Sequence, residues 1–478
     1  MNDSNLNPFY TISQDGKPSL DIYEFRMFLE FNGYFKNKPN EESSWNLIKK
    51  NDIFLEIKDE TDVKDFVLTY ILENNLGKSV YNLIAGKTTI FKRDSLSQIV
   101  SKEIKMLRDT KDIAYLFYKN GVLEINKDGQ QLKKYSDFGL SIWKKQVINR
   151  DYIDSDHHQS EFRKFIWKIS GESVDRYNTF QSILGYLIHS YKSKVNNKAI
   201  ILNDEIISDE PNGRSGKGLL CEAINQLKNV NSLDGKKFSF QDQFPYQSVK
   251  TDCQVLVFDD VKPHFAFINL FSIITEGMEI TYKGQNTIKL PIEDSPKIVI
   301  TTNHIIKGNG GSHDARKFEV ELSSFFNANH TPIDFFGHRL FDDWDSLEWA
   351  RFDCYMIECL KKYLNNGLIS YQSINLPFKK FEVEITKELI ECIKEVRTDE
   401  WIVFDDFYNL YCNNVSKKWD AQKKNAVTRN LKKYCNFFNH TYDEVVSNNI
   451  KKFKIIKTKV DPKTLDIWDK IQEDAGIN

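Results

Sequence analysis

One run constrains this chain more than any other: a short apolar stretch, a polar glycine-bearing loop and an amphipathic segment in direct succession. Ala199-Ile200-Ile201-Leu202 has the length and composition of a buried strand. Polar turn residues follow, then Pro211-Asn212-Gly213-Arg214-Ser215-Gly216-Lys217-Gly218, then Leu219, Leu220, Ala223, Ile224 and Leu227 at helical spacing. Strand, loop and helix in this order frame a phosphate-binding loop. Its glycines let backbone N–H groups crowd a polyphosphate at a helix N-terminus, and Lys217 neutralises it. The loop departs from GxxxxGK[ST] at both ends: Pro211 stands where the first glycine belongs, and Gly218 where a hydroxyl ordinarily ligates magnesium. In isolation, a glycine-rich surface turn reads the same way.

Two further apolar runs end in chemistry. Val255-Leu256-Val257-Phe258 leads into Asp259-Asp260, carboxylates that can hold Mg²⁺ and orient water at a strand's C-terminal edge. Lys297-Ile298-Val299-Ile300 leads into Thr301-Thr302-Asn303, an amide placed to position an attacking water. Alone, the first reads equally as a strand before a solvated acidic turn, and Asn303 reads more readily as a turn former; three in succession are harder to dismiss. Between them, Glu279–Tyr282 and Thr287–Leu290 flank Lys283-Gly284-Gln285-Asn286, a β-hairpin with a polar tip. There Lys283 can pair with a phosphate and Gln285 or Asn286 can hydrogen-bond a nucleic-acid backbone, which grips without reading sequence. The loop Gly308-Asn309-Gly310-Gly311-Ser312 then precedes Arg316, Lys317 and the alternation Phe318, Val320, Leu322.

With NGRSGKG, VFDDVKP, TYKGQNTIKLP and IVITTN in that order, the chain resembles the superfamily 3 helicases of viruses, phages and mobile elements. It is more closely similar to their phage and poxvirus-type primase-helicase branch, over about residues 100 to 385. Phe162 to Tyr191, containing Leu184-Gly185-Tyr186-Leu187, looks like the helical region before the motor in that branch. The resemblance implies an AAA+-like P-loop ATPase core with a parallel sheet, using ATP and Mg²⁺. Nucleotide would be bound by Asn212, Gly213, Arg214, Ser215, Gly216, Lys217, Gly218 and Leu219. Lys217 would contact the β and γ phosphates, Asp259 and Asp260 would serve Mg²⁺ and water activation, and Asn303 would be the sensor. Arg316, with Lys317 as helper, would reach the γ-phosphate of a neighbouring subunit, which requires a homo-oligomeric, hexameric ring. The hairpin would meet single-stranded DNA in the ring channel. Gly218 leaves the metal without its usual hydroxyl, a place that Asp259 or Asp260 with extra waters can fill.

Over 478 residues several domains are expected, and 66 basic against 68 acidic residues name no partner by whole-chain charge. That near-neutral total hides a local excess. Residues 417 to 459 carry twelve basic side chains against Asp420, Asp443 and Glu444. Phe404, Phe407, Tyr408 and Tyr411 suggest one helix there, and Ala426, Val427, Leu431 and Tyr434 a second whose other face bears Lys423, Lys424, Arg429 and Lys433. With a strand at Phe453 to Ile456 this is a winged-helix pattern, suited to duplex DNA through phosphates, the alternative being a solvated lid or a protein-docking face.

The expected architecture is thus multidomain α/β. An N-terminal α/β or α+β domain (1–100), with a helix at Ile22–Phe31 and extended runs at Ile53–Ile57 and Thr88–Phe91, carries no evident chemistry. A helical collar (101–195), the ATPase core (196–330), a helical lid (331–385) and a basic winged-helix domain (386–478) follow. Seven cysteines without a CxxC pair argue against a disulfide framework or zinc ribbon, and no apolar run approaches a membrane span. Without a leader, the expected place is a cytoplasm, that of a bacterial host, with replication proteins as partners. Asp154-Ser155-Asp156-His157-His158 is set aside as a metal site, being a segment that precedes a helix in need of a cap. No primase acid set can be assembled from residues 1–100, and no Ser/His/Asp or Cys nucleophile signature is present. The expected function is an ATP-dependent DNA helicase for replication; the alternative is a nucleotide-binding, non-translocating DNA-binding initiator or scaffold.

Overall fold

The computed structural model describes residues 8–195, 197–205, 214–308, 310–373, 376–415 and 421–457. Asn212 and Gly213 of the expected phosphate loop, Asn309, and Lys417, Lys418, Asp420 and Lys459 of the basic region lie outside the described residues.

All three apolar runs are strands of one sheet. Numbered in chain order, its strands are β1 (Ala199–Asp204), β2 (Val230–Asp234), β3 (Val255–Asp259), β4 (Lys297–Thr301) and β5 (Lys317–Leu322), lying in the order β2-β3-β4-β1-β5. Pairings β2–β3, β3–β4 and β4–β1 are parallel. Leu202 lies opposite Thr301, Phe258 opposite Ile300, and Asp234 opposite Asp259, so these strands finish in one rank.

The strands read as unbroken apolar runs because both faces are covered. Ile200, Leu202, Val255, Val257 and Val299 pack into a core with four helices: α1 (Glu161–Ile169), α2 (Val174–Ile188), α3 (Lys217–Asn225) and α4 (Ser346–Asn366). The alternate residues Ala199, Ile201, Leu256, Phe258, Ile298 and Ile300 pack on the opposite face against Phe267, Leu270 and the hairpin strands Gly277–Ile280 and Ile288–Pro291. Lys297, the first residue of β4, is buried and donates to the carbonyls of Tyr186 (2.6 Å) and His189, so it satisfies orphan carbonyls where α2 ends. Burial pushes its ammonium well below the usual lysine range.

Helix α1 buries Phe162, Phe165, Ile166 and Ile169, the stripe its spacing predicts, and Gly171 beyond it takes the left-handed conformation (φ 62°). α2 ends at Ile188, three residues short of the expected Tyr191. It crosses α4 at Gly185, where a Cβ would fall 2.2 Å from the carbonyl oxygen of Cys359 and 2.6 Å from the Cβ of Tyr363. Only glycine lets the backbones approach so closely.

Three expectations need correction. The span 101–195 is not helical throughout: its first half forms strands Ile113–Tyr118, Gly121–Asn126 and Gln130–Lys133, antiparallel in succession, with Val147–Ile148 parallel to the first. The buried alternation Ala114, Leu116, Tyr118 is the period-two signal responsible. Thr88–Phe91 is a 3₁₀ turn and not extended, since Ile90 N–H donates to Lys87 and Lys92 N–H to Thr89 while Phe91 fills the core beside Phe25. The helix Ile22–Phe31, by contrast, has its expected bounds, with Asp21 capping Tyr23 and Glu24 N–H.

The third concerns the lid. The chain forms two compact units, one of residues 1–202, 213–302 and 306–371, the other of residues 203–212, 303–305 and 372–478. The expected lid is therefore divided: α4 belongs to the first unit's core, and the helix Leu376–Ile385 to the second. Within the second unit follow helix Lys387–Lys394, strand Ile402–Val403, helices Phe404–Asn414 and Lys424–Phe437, and the hairpin Thr441–Ser447/Ile450–Ile456. Phe407, Tyr411, Val427, Leu431 and Phe453 share its core. Among the described residues no helix is long and apolar enough to cross a membrane, and all seven cysteines are free.

Gly185→Ala is expected to overpack the α2–α4 crossing and cost about 1–3 kcal/mol. A lowered midpoint in urea, followed by circular dichroism, is the measurement; an unchanged midpoint would show that the crossing yields.

Candidate functional site

Helix α3 begins where the loop must turn sharply. Arg214 (φ 64°) and Gly216 (φ 103°) both lie in the left-handed region, and Gly216 is the N-cap of a helix whose first residue is Lys217. A Cβ on Gly216 would sit 2.7 Å from Cζ of Phe165 on α1, so glycine is required by conformation and by space. Ser215 is buried beside it. Among the described residues, no atom outside its chain neighbours and its own helix backbone lies within 4 Å of where a Cβ on Gly218 would be. One turn further on, burial pushes the Cys221 thiol up to about 12, with the Asp259 charge adding to the shift, which puts that carboxylate within electrostatic reach of α3.

The acidic end of β3 is tied to its neighbours by the Thr301 hydroxyl. That hydroxyl donates to Oδ1 of Asp259 (2.7 Å) and accepts the Asp260 N–H (2.7 Å). Val261 N–H donates to the Thr301 carbonyl (3.0 Å), and Thr302 N–H to the carbonyl of Leu202 on β1 (3.1 Å). Asp260 is thereby held at φ 54°, unusual for a residue other than glycine. Its carboxylate meets Lys236, in the turn after β2, at 2.5 Å and holds that ammonium above its ordinary value. Both aspartates reach solvent. Exposed carboxylates without soft ligands are the oxygen donor set that suits Mg²⁺ keeping several waters. Asn303, the expected sensor, is buried and groups with the second unit.

Sequence reasoning missed Thr301 and Lys236. Thr301 was legible as a hydroxyl closing a buried run; Lys236 stands in a turn, Gly235-Lys236-Lys237, that no motif marks.

Arg316 stands at the opposite end of the sheet, its carbonyl accepting the N–H of Ala199 where β1 starts (2.8 Å). With a rise of roughly 3.3 Å per residue, the six residues of β1 separate it from the loop end by more than a guanidinium spans. It donates to the Ser312 carbonyl (3.0 Å) and lies 4.6 Å from the Phe271 ring centroid. Lys317 does not fit a helper's role. It is buried and donates to the carbonyls of Ile306 (3.1 Å) and Gly308 (3.1 Å), closing its own loop.

The hairpin forms as expected. Gln285 N–H donates to the Tyr282 carbonyl (3.0 Å) across a turn with Gly284 at φ 74°. Lys283, Gln285 and Asn286 are exposed at the tip while Met278, Ile280, Ile288 and Leu290 anchor the strands in the core. An N-terminal segment runs along the second strand: Asn40 donates to the Lys289 carbonyl (2.7 Å), Ser44 N–H to the Thr287 carbonyl (3.1 Å), and Glu42 pairs with the Lys289 ammonium (2.9 Å).

In the second unit Lys423, Lys424 and Arg429 are exposed on or beside helix Lys424–Phe437. Lys424, however, pairs with Asp405 (2.6 Å), Lys433 with Glu384, and Lys432 and Lys451 share Glu444. The basic excess is smaller than the sequence window suggests, because Asp405 and Glu384 lie outside it. Asp156, His157 and His158 each bring one donor atom within 4.8 Å of the others, yet Asp156 accepts from His158 N–H (2.9 Å) and Gln159 Nε2 (3.1 Å) as the cap of a short turn.

Neither a family model nor a curated protein matches this chain. Among solved structures, the apo A form of the NrS-1 C-terminal region is similar at 11% identity and a TM-score of 0.43, covering 90% of this chain and 98% of that one. A second apo A form of that region, spanning 305–718, gives 11% identity and a TM-score of 0.40 over the same shares. Similarity of this degree carries no argument about fold or chemistry.

Gly216→Ala is expected to destabilise the protein by more than about 1 kcal/mol, through strain and the clash with Phe165. Gly218→Ser, in open space on a helix, is expected to leave the unfolding midpoint unchanged or slightly raised. Urea titrations of the two variants check the contrast.

Proposed function

We propose that the protein hydrolyses ATP to move along DNA, as a ring-forming replicative helicase of the superfamily 3 kind, with an AAA+-like core and a C-terminal winged helix. One observation carries the reading. β4 lies between β1 and β3, so the strand leading to the loop before Lys217 and the strand carrying Asp259 and Asp260 end in one rank, joined through Thr301 and Thr302. In this reading the α3 N-terminus and Lys217 receive the β and γ phosphates. Asp259, oriented by Thr301, takes a proton from the attacking water, and Asn303 positions that water. Mg²⁺ would be held by Asp259 and Asp260 through waters, where it neutralises phosphate charge.

Arg316, too far from its own loop, serves the site of a neighbouring protomer, which is the reason for a ring, hexameric by the family resemblance. Lys283, Gln285 and Asn286 grip single-stranded DNA in the channel, and the second unit's helix pair and hairpin, with Lys423, Lys424 and Arg429, suits duplex phosphates. The order helix, short strand, two helices and hairpin supports the winged-helix assignment. The motor would act in a host cytoplasm beside other replication proteins. Gly218 and the Lys236–Asp260 pair favour a second reading, a DNA-bound initiator or scaffold that holds nucleotide without turnover.

DNA-stimulated ATPase on the wild type and Lys217→Ala separates the two. The motor reading expects turnover in the wild type and its loss in a folded Lys217→Ala; no turnover in the wild type leaves the scaffold. Gly218→Ser is expected to preserve or tighten Mg²⁺-ATP binding, read by calorimetry, because it restores a hydroxyl where there is room for one. Arg316→Ala is expected to assemble but hydrolyse ATP at least tenfold more slowly, and mixing it with Lys217→Ala to restore part of the rate. Verified mixed rings without rescue would refute action in trans.

A further inference from the structure

A second cleft opens on the first unit's helices, and no residue of the phosphate site lines it. It has a volume of about 930 Å³ and is walled by α1, α2, α4 and the turn after strand Gly121–Asn126. Five cations line it, Lys127, Arg163, Lys164, Lys361 and Lys362, against two acids, Asp128 and Glu358. His157 and His158 stand at its edge. Among the described residues only Lys361 of the five makes an ion pair, with Glu358 at 2.7 Å. Arg163 donates to the carbonyl of His158 (3.3 Å). Lys362 donates to the side-chain oxygens of Asn178 and Gln181, the latter at 2.6 Å, and burial lowers its pKa. Its charge is thus held by neutral dipoles, with no counterion among the described residues. That arrangement is stable alone and gains from an anion.

Two aromatic rings and two further amides complete the wall. Trp167 on α1 and Tyr177 on α2 meet edge to face, centroids 5.4 Å apart, and both are partly exposed. Asn365 and Asn366 stand where α4 ends. Cations spread over a turn and two helices fit a row of phosphates better than a single one, and aromatic faces with amide edges fit unpaired bases. In a duplex the bases are stacked away from such rings.

We propose that this cleft binds single-stranded nucleic acid, with phosphates on Lys127, Arg163, Lys164 and Lys362 and a base against Trp167 and Tyr177. The site is distinct from the hairpin and from the second unit, and it needs neither ATP nor the phosphate loop, so it stands or falls apart from the motor reading.

The test is fluorescence anisotropy of a labelled oligothymidylate without nucleotide, using the whole 478-residue chain in a Lys283→Ala background so that residual affinity reports binding elsewhere. Adding Arg163→Gln and Lys164→Gln is expected to raise Kd about tenfold and to reduce the slope of log K against log salt by roughly 0.7 for each phosphate no longer neutralised. Trp167→Leu is expected to weaken binding at least fivefold with the slope unchanged, the mark of lost stacking. Lys127→Glu, on an exposed turn where folding is not at stake, is expected to act as the double variant does. Cross-links from 5-bromodeoxyuridine are expected on peptides containing Trp167 or Tyr177. Unchanged Kd and slope in both charge variants overturns the proposal, as do cross-links confined to other segments. Full displacement of the oligonucleotide by equimolar ATP in a Lys217→Ala background also overturns it, since the cleft would then be a mononucleotide pocket.

Discussion

The acidic end of the central sheet depends on one hydroxyl. Thr301 bonds the side chain of Asp259 and the backbone of Asp260 at once, and so fixes the direction in which the chain leaves β3. Holding Asp260 in the left-handed region costs of order 1–3 kcal/mol. Hydrogen bonds from a threonine and an adjoining backbone, each worth about 1 kcal/mol net, offset a cost of that size. This is open only to a sheet in which β4 borders β3. Because β4 also borders β1, the N–H of Thr302 on Leu202 carries the same constraint to the strand that leads toward the glycine-bearing loop before α3. Strand order, more than any motif residue, is what lets three separate stretches of sequence act at one edge.

Packing explains why glycine stands where it does. Gly216 lies against Phe165, which comes from a helix preceding the sheet in the chain, so the start of α3 is shaped by α1 and not by the loop alone. Gly185 likewise answers to α4, some 170 residues later. Such positions tie the fold together at long sequence separation, and at each a side chain forces a neighbour to shift. Gly218 differs: none of the described residues beyond its own helix crowds it, so they do not dictate its identity by space.

What the sequence made legible follows from the range of the forces involved. The three strands, the hairpin turn around Gly284 and the helices at Ile22–Phe31, α1 and α3 announce themselves through local periodicity and turn chemistry. The strands between Ile113 and Lys133 carry the same kind of signal, hidden by their place in front of a helical segment. Thr88–Phe91, rich in β-branched residues, is overridden by the burial of Phe91 among distant aromatic rings. Charge is the least legible quantity. Lys297 starts a strand, as its sequence suggests, and is also a buried cap for α2, Lys317 is consumed by carbonyls, and Lys424 and Lys433 are neutralised by acids from other helices. No local rule supplies those partners, because they arrive only when the chain has folded.

The N-terminal segment holds the hairpin chiefly by its main chain. Asn40 reaches the carbonyl of Lys289, and Ser44 N–H reaches that of Thr287, so two of these bonds ignore which side chains the hairpin strand carries. Residues on that strand can therefore drift over evolutionary time without loosening the attachment, provided an amide is kept at position 40 and a hydroxyl at position 43, where Ser43 accepts the Lys289 N–H. A segment with no motif of its own would then travel with the hairpin through divergent descendants, recognisable by its place against the strand long after its sequence has ceased to be.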